Sequence, residues 1–302
     1  MTRRRRVARW LPLAALVLVL APLAAAVAAG GLARVAGWYL LQLAGPLLGL
    51  AVGVGTLIYA AVNKRWRSRA VQATLAASTL ACLPVVWALG AVRYPASLDA
   101  TTPAATVRLP ADGPIRVAWG GDAVATNYHA AYPDQRWAYD LVMEPAFTGT
   151  PRLADYGCYG RPVLAPAAGT VTLARDGEPD QTPGALPAGV VRAEGNAVAI
   201  RLDETGTHLL LAHLQPGSLA VAVGDAVAEG DTVGACGNSG NTSEPHVHVH
   251  HQRQDPGGER GDFAEGLPLY FRDHGGDPMP VGGFETRDGA EVPTGAVVRH
   301  RR

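Results

Sequence analysis

Residues 1–92 contain no aspartate and no glutamate, and three long apolar runs lie within them. No other feature restricts the fold as much. Trp10 to Ala29 supplies about 20 apolar residues, enough for a helix to cross a bilayer. Gly37 to Val62 and Ala70 to Val92 are the second and third runs. A buried bundle of a soluble protein is also apolar, but runs this long without a single acid are those of membrane helices. The glycines and prolines inside them (Gly45, Pro46, Gly49, Gly53, Gly55, Pro84) are tolerated in such helices.

Charge sets the orientation. Five arginines lie between Thr2 and Arg9, and the N-K-R-W-R-S-R loop at 63–69 holds four positive charges. The positive-inside rule puts both segments in the cytoplasm, so three crossings place Arg93 onward outside. The first run, with its arginines and the small residues Ala24, Ala25 and Ala26, also fits a cleavable signal peptide. Either reading leaves the carboxy-terminal part on the outer side of a cytoplasmic (inner) membrane. The runs contain no acid or histidine to mark an ion path, so they read as a multi-pass anchor in the lipid bilayer rather than a transporter.

Residues 1–92 carry ten of the 26 basic groups, so the other 210 residues hold 16 basic and all 26 acidic groups, a net of −10. The overall formal charge of zero therefore hides two different halves and points to no nucleic acid partner. Residues 93–114, rich in Ala, Thr and Pro, read as an extracytoplasmic tether. From 115 to 284, short Val-rich segments alternate with Gly, Pro and Asp, as in V-L-A-P-A-A-G-T-V-T-L and H-L-L-L-A-H-L. This is the texture of a mainly-β domain, an antiparallel sandwich or barrel-like structure. Residues 285–302 read as a loose polar tail. Cys82 lies in the third run as a small apolar filler, while Cys158 and Cys236 lie outside, where a disulfide is allowed. Sequence leaves open whether those two pair.

The chemistry concentrates at Cys236 to His251, C-G-N-S-G-N-T-S-E-P-H-V-H-V-H-H, with four of the nine histidines. In an extended strand His246, His248 and His250 share one face and Val247 and Val249 the other. Imidazoles crowded on one face are costly to bury unpaired, and a divalent metal, which binds the neutral ring, removes that cost. A His-rich solvated edge strand is the plain alternative. Two other segments can join: 126–142, which contains His129, Asp134 and Asp140, and 210–218, where His213 ends an apolar strand. His208 starts that strand, and its odd spacing from His213 predicts the opposite face and an ordinary exposed residue.

The run from His208 to His248, with G-R-P-V-L-A-P-A-A-G-T-V upstream, resembles the M23 zinc metallopeptidases, the lysostaphin and LytM-like cell-wall endopeptidases. The resemblance covers roughly residues 125–252. It implies that His248 binds the metal, that His246 and His213 are catalytic groups beside a metal-bound water, and that His129 and an aspartate complete the ligands. The family's aspartate often follows its histidine by four residues, but here that place is Pro133. Asp134 and Asp140 are the candidates. Asp140 is expected, because it opens the apolar D-L-V strand segment, whereas Asp134 follows a proline in a turn. Two imidazoles and one carboxylate would leave a single tetrahedral Zn²⁺ one open position, as catalytic sites require. The implied activity is a membrane-anchored zinc metalloendopeptidase that hydrolyses peptide bonds in peptidoglycan stems or cross-bridges. The alternative is a non-catalytic module that binds cell wall or regulates another hydrolase. A biotinyl or lipoyl carrier would share the V-x-x-G-D-x-V turns but needs a lysine to modify. The chain's only lysine is Lys64, in the inside loop.

Overall fold

The computed structural model describes residues 7–258, 263–287 and 290–301. The arginines at 3–6 lie outside the described residues. The chain forms two compact units, Met1–Pro95 and Ala96–Arg302.

The first unit is helical: α1 (Leu11–Ala29), α2 (Gly31–Asn63), α3 (Arg69–Cys82) and the short α4 (Val85–Ala88). Three stretches, Ala8–Ala29, Gly31–Asn63 and Arg69–Ala88, are long and apolar enough to cross a membrane. The third run is less regular than its sequence suggests. Pro84 has no N–H to give, so the helix breaks between Cys82 and Val85. Lys64, at φ +53°, caps α2 in the left-handed region. Gly45 and Gly49 face α3 so closely that a Cβ on Gly49 would meet the Ser78 carbonyl at 2.6 Å. In lipid, where apolar surface alone does not drive association, such small residues let helices approach. At the other end of α2, Trp38 stacks on Trp87 at 4.3 Å, and Tyr94 meets Trp38 edge-on.

The second unit contains fourteen described strands: β1 (Ala105–Val107), β2 (Pro114–Trp119), β3 (Tyr139–Val142), β4 (Pro162–Leu164), β5 (Gly169–Arg175), β6 (Asn196–Leu202), β7 (His208–Leu214), β8 (Ala226–Val227), β9 (Thr232–Ala235), β10 (Val247–Gln252), β11 (Leu269–Phe271), β12 (Phe284–Arg287), β13 (Ala290–Pro293) and β14 (Val297–Arg299). Eight form an antiparallel sheet in the order β14-β2-β3-β10-β7-β6-β5-β8. β7 and β10 are buried along their whole length, as central strands covered on both faces must be. One face carries the main core, with Val198, Ile200, Leu209, Leu211, Val247 and Val249. The other carries a thin layer of Ala197, Ala199, Leu210 and Ala212.

Two expectations are corrected here. Part of the stretch read as a tether belongs to the domain: β1 pairs in parallel with β11, and Val107 and Leu109 are 2% and 0% exposed. Burying two such side chains stabilises by roughly 1.5–3 kcal/mol each, enough to offset the ordering of a short strand. The carboxy-terminal stretch is not loose either. β12 pairs with β13, and β14 pairs with β2, where Val298 lies opposite Ile115 and is 5% exposed.

His251 lies opposite Leu209, fully inside. Its Nδ1–H donates to the Pro268 carbonyl at 3.0 Å, and its Nε2 accepts from the Thr207 hydroxyl at 2.6 Å. Burial pushes its pKa down to about 4 from 6.5. Between these values the unfolded chain binds a proton that the folded one does not. Stability is therefore full above about pH 6.5 and falls as the pH drops towards 4, by about 2–3 kcal/mol from this group at pH 4.5. Denaturant unfolding of the full chain at pH 7.5 and 4.5 checks this. His251→Asn is expected to shrink the stability difference between the two by that amount, and an unchanged difference would remove His251 from the account.

Candidate metal centre

β3 and β10 run antiparallel, and their register sets Asp140 directly opposite His248. Residues opposite one another share a face. His248 Nδ1 consequently lies 2.8 Å from Asp140 Oδ1. His129 arrives from a short 3₁₀ turn, Tyr128–Ala131, capped by Asn127. The Asn127 side chain accepts from the His129 N–H and donates to the carbonyls of Gly121 and Ala138. It therefore ties the turn to the chain just ahead of β3, and His129 Nε2 comes to 2.9 Å from Asp140 Oδ2. Donor atoms of His129, Asp140 and His248 all lie within 4.8 Å of one another, and all three residues are buried.

The eleven-residue spacing from His129 to Asp140 follows from what lies between them. Arg136 and Trp137 are buried, and both donate to Asp122 Oδ1, at 2.6 and 2.8 Å. The extra residues thus form a packed turn that returns the chain to β3. Asp134 sits on this turn, in the part of the cleft beside His250.

His213 reaches the same place by breaking the strand's alternation. Between the pairs Val198↔Leu211 and Asn196↔Leu214, β7 carries one residue more than β6, a β-bulge. His213 takes φ +60°, a left-handed conformation uncommon outside glycine, asparagine, aspartate and histidine. Its ring turns out of the core and lies 4.7 Å from that of His246 and 5.8 Å from that of His248. The expectation for His208 is corrected by the same bulge. His208 is opposite Gln252, as Leu210 is opposite His250 and Ala212 opposite His248. It therefore shares their face, which His213 joins, and it is 6% exposed rather than an ordinary surface residue.

Two backbone carbonyls orient the remaining histidines. His213 Nδ1 lies 2.8 Å from the Ser239 carbonyl and His246 Nδ1 lies 2.7 Å from the Glu244 carbonyl. A carbonyl only accepts, so each ring carries its hydrogen on Nδ1, and Nε2 is the free base of the neutral form. His246 Nε2 is 3.5 Å from Asp140 Oδ1.

Burial and neighbouring charge shift Asp140, His213, His246 and His248. Burial alone would raise the Asp140 carboxyl, but the His129 and His246 imidazoles hold it well below the usual range. Burial, and next the charge of His246, pushes His213 down to about 3. Burial also depresses His248 far below its ordinary value. Burial works against His246 too, but Asp140 overcomes it and raises its pKa.

Residues 154–258 match the model of peptidase family M23. The domain has the M23 fold. Its matched segment contains His213, His246 and His248 and begins after His129 and Asp140. Several solved structures are similar. One is the catalytic domain of a mutant of the prophage-encoded M23 protein EnpA from Enterococcus faecalis (19% identity, 43% of this chain and 73% of that one, TM-score 0.29). Another is the catalytic domain of lysostaphin from Staphylococcus simulans (18% identity, 50% of this chain and 86% of that one, TM-score 0.31). A third is a zinc containing peptidase from Vibrio cholerae (17% identity, 49% of this chain and 36% of that one, TM-score 0.32). No curated protein matches the chain in sequence.

In this domain the histidines floor a cleft that widens on both sides. One arm, about 340 Å³, is lined by Tyr132, Asp134, Gln135, Glu194, His250 and Gln252. The other, about 180 Å³, is lined by Trp119, Phe147, Thr242, Glu244 and His246. Tyr128, His213 and Asn241 border both arms. The G-N-S-G loop is held as firmly as a strand. Ser239 Oγ donates to the Leu214 carbonyl and accepts from the Asn196 N–H, and Asn238 is pinned by Asp180 and Gln181. Gly195 and Gly240, both in the left-handed region, approach so closely that neither has room for a Cβ. At the base of the loop Cys158 and Cys236 form a disulfide across 78 residues, which answers the question the sequence left open. Constraining the unfolded chain this way stabilises by about 2–4 kcal/mol.

Sequence reasoning passed over Asn127, Ser239 and Gln252. Asn127 carried a signal: an Asn two residues before a candidate ligand is an Asx-type cap. Ser239 meets His213 through its main-chain carbonyl, which side-chain patterns do not reveal.

Proposed function

We propose that this M23 domain is a zinc endopeptidase that cleaves peptide bonds of peptidoglycan outside the cell, anchored by helices that cross the membrane. One observation carries the reading: two imidazole nitrogens and a carboxylate oxygen, all buried, converge within 4.8 Å of one another. Tetrahedral ligand atoms about 2.0–2.1 Å from zinc lie about 3.3 Å apart, so the donors are spaced as such a site needs. The donor set is also the right kind. His₂-carboxylate is a catalytic set, which keeps a coordination position open, whereas closed structural sites use four protein ligands. The residues therefore fit the ion, with His129, Asp140 and His248 holding it.

A bound zinc ion supplies Lewis acidity, which polarises a carbonyl and acidifies water. The protein's own part is proton handling. His213 and His246 have Nδ1 committed to backbone carbonyls, so each takes or gives a proton at Nε2 alone. A neutral ring there accepts the proton of the attacking water. The same ring, once protonated, donates to the developing oxyanion or to the leaving amine. The two arms of the cleft would seat the substrate on either side of the scissile bond.

The disulfide supports an extracytoplasmic location, since such bonds persist in oxidising compartments. The test is to incubate the zinc-loaded full chain with purified cell walls and identify released fragments by mass. Soluble fragments with new amino termini within stems or cross-bridges are expected. Binding to walls without release would favour the non-catalytic alternative instead.

A further inference from the structure

Beyond Asp140, the face of β10 carries a line of hydrogen bonds. His248 Nε2 lies 2.8 Å from His250 Nδ1, and His250 Nε2 lies 2.8 Å from Gln252 Oε1. The line ends where Gln252 Nε2 donates to the Gln254 carbonyl at 2.7 Å. That last bond decides the rest. A carbonyl cannot donate, so the Gln252 amide must turn its nitrogen to Gln254 and its oxygen to His250. Facing an oxygen that only accepts, His250 carries its hydrogen on Nε2 and leaves Nδ1 bare. The hydrogen between the two rings then belongs to His248 Nε2. His248 Nδ1 is bare in turn, and it faces Asp140 Oδ1 at 2.8 Å. Two acceptors at that distance repel unless a cation or a proton lies between them. The opposite tautomer would put a hydrogen on His248 Nδ1 and would set bare His250 Nε2 against the Gln252 oxygen.

We propose that His250, held by Gln252, is a positioning residue that fixes the tautomer of His248 so that its Nδ1 lone pair points at the metal site. The inference rests on the zinc reading above. His250 lines one arm of the cleft, does not touch the ion, and acts on the metal site through His248 alone. Outer partners of this kind hold a ligating ring in register, and their loss costs about 10- to 100-fold in metal affinity.

Zinc affinity is measured on the full chain in detergent, by competition with a chromophoric chelator. His250→Asn keeps an acceptor oxygen where Nδ1 lies, whereas His250→Leu has the same shape and no acceptor. His250→Asn is expected to stay within about threefold of the wild type, and His250→Leu to bind about 10- to 100-fold more weakly. Equal losses would assign His250 to packing, and no loss in either would make the line of bonds idle. Either result overturns the proposal. Nitrogen NMR of the zinc-free chain labelled with ¹⁵N-histidine, at pH 8, gives a readout independent of metal. His248 and His250 should both be protonated at Nε2, and a hydrogen on His248 Nδ1 would overturn the proposal by itself. A wild-type chain that takes up no zinc would instead overturn the metal reading.

Discussion

His248→Ala and Asp140→Ala are each expected to weaken zinc binding by more than about 100-fold and to abolish hydrolysis, while Asp134→Ala keeps both. The magnitude follows from the hierarchy of contacts, since a lost outer partner already costs about 10- to 100-fold and a lost ligand costs more. The contrast between the two aspartates follows from the sheet. Asp140 is paired with His248 in the register of β3 and β10, and its two oxygens lie 2.8 and 2.9 Å from ring nitrogens of His248 and His129. Asp134 lies on the turn between, where its carboxylate contacts Gln135. Removing Asp140 also takes away the carboxylate that His129, His246 and His248 all face. The zinc-free Asp140→Ala protein should therefore hold its histidines neutral to lower pH than the wild type. Zinc content after dialysis, measured by atomic absorption for the three variants side by side, checks the assignment. If Asp134→Ala emptied the site and Asp140→Ala did not, the ligand set would have to be redrawn around the turn.

How much of this was legible beforehand depends on which rule each residue obeys. The position of Asp140 was legible because it lies in an apolar strand, β3, and a regular strand makes its own register. The face shared by His248 and His250 was legible from period two alone, and Gln252 extends it by one more step. His213 stood out at the end of an apolar strand and through the resemblance, but the route of its ring to the other histidines was not legible. Alternation assumes a regular pleat, and the bulge in β7 adds a residue that turns His213 from the core to the site and brings it to the face of His208. No composition rule anticipates which strand will bulge. The stretch around Val107 failed for another reason. A three-residue strand is too short to show a period, and Ala, Thr and Pro around it look like linker until β11 is present to pair with. The last residues failed likewise, because β14 gains its partner β2 from about 180 positions earlier in the chain.

His246→Ala and His213→Asn are expected to bind zinc about as tightly as the wild type and to turn over about 10²- to 10⁴-fold more slowly, the range that one positioned acid or base contributes. Asparagine is the cleaner replacement at 213. It tolerates the left-handed conformation, and its amide can still donate to the Ser239 carbonyl, so the backbone of β7 is kept while the titrating nitrogen is lost. Alanine at that position would add roughly 1–2 kcal/mol of backbone strain and blur chemistry with stability. If the two rings share one proton-transfer task, removing both should cost little more than removing the worse one, because groups that act as a unit are not additive. If each has its own step, one taking the proton of water and the other giving a proton to the leaving amine, the losses should multiply. Single-turnover rates of the two single variants and the double variant, all at equal zinc occupancy, distinguish the cases. A single variant that lost its zinc along with its rate would instead make that histidine a ligand, and the division between metal holders and proton carriers would fall.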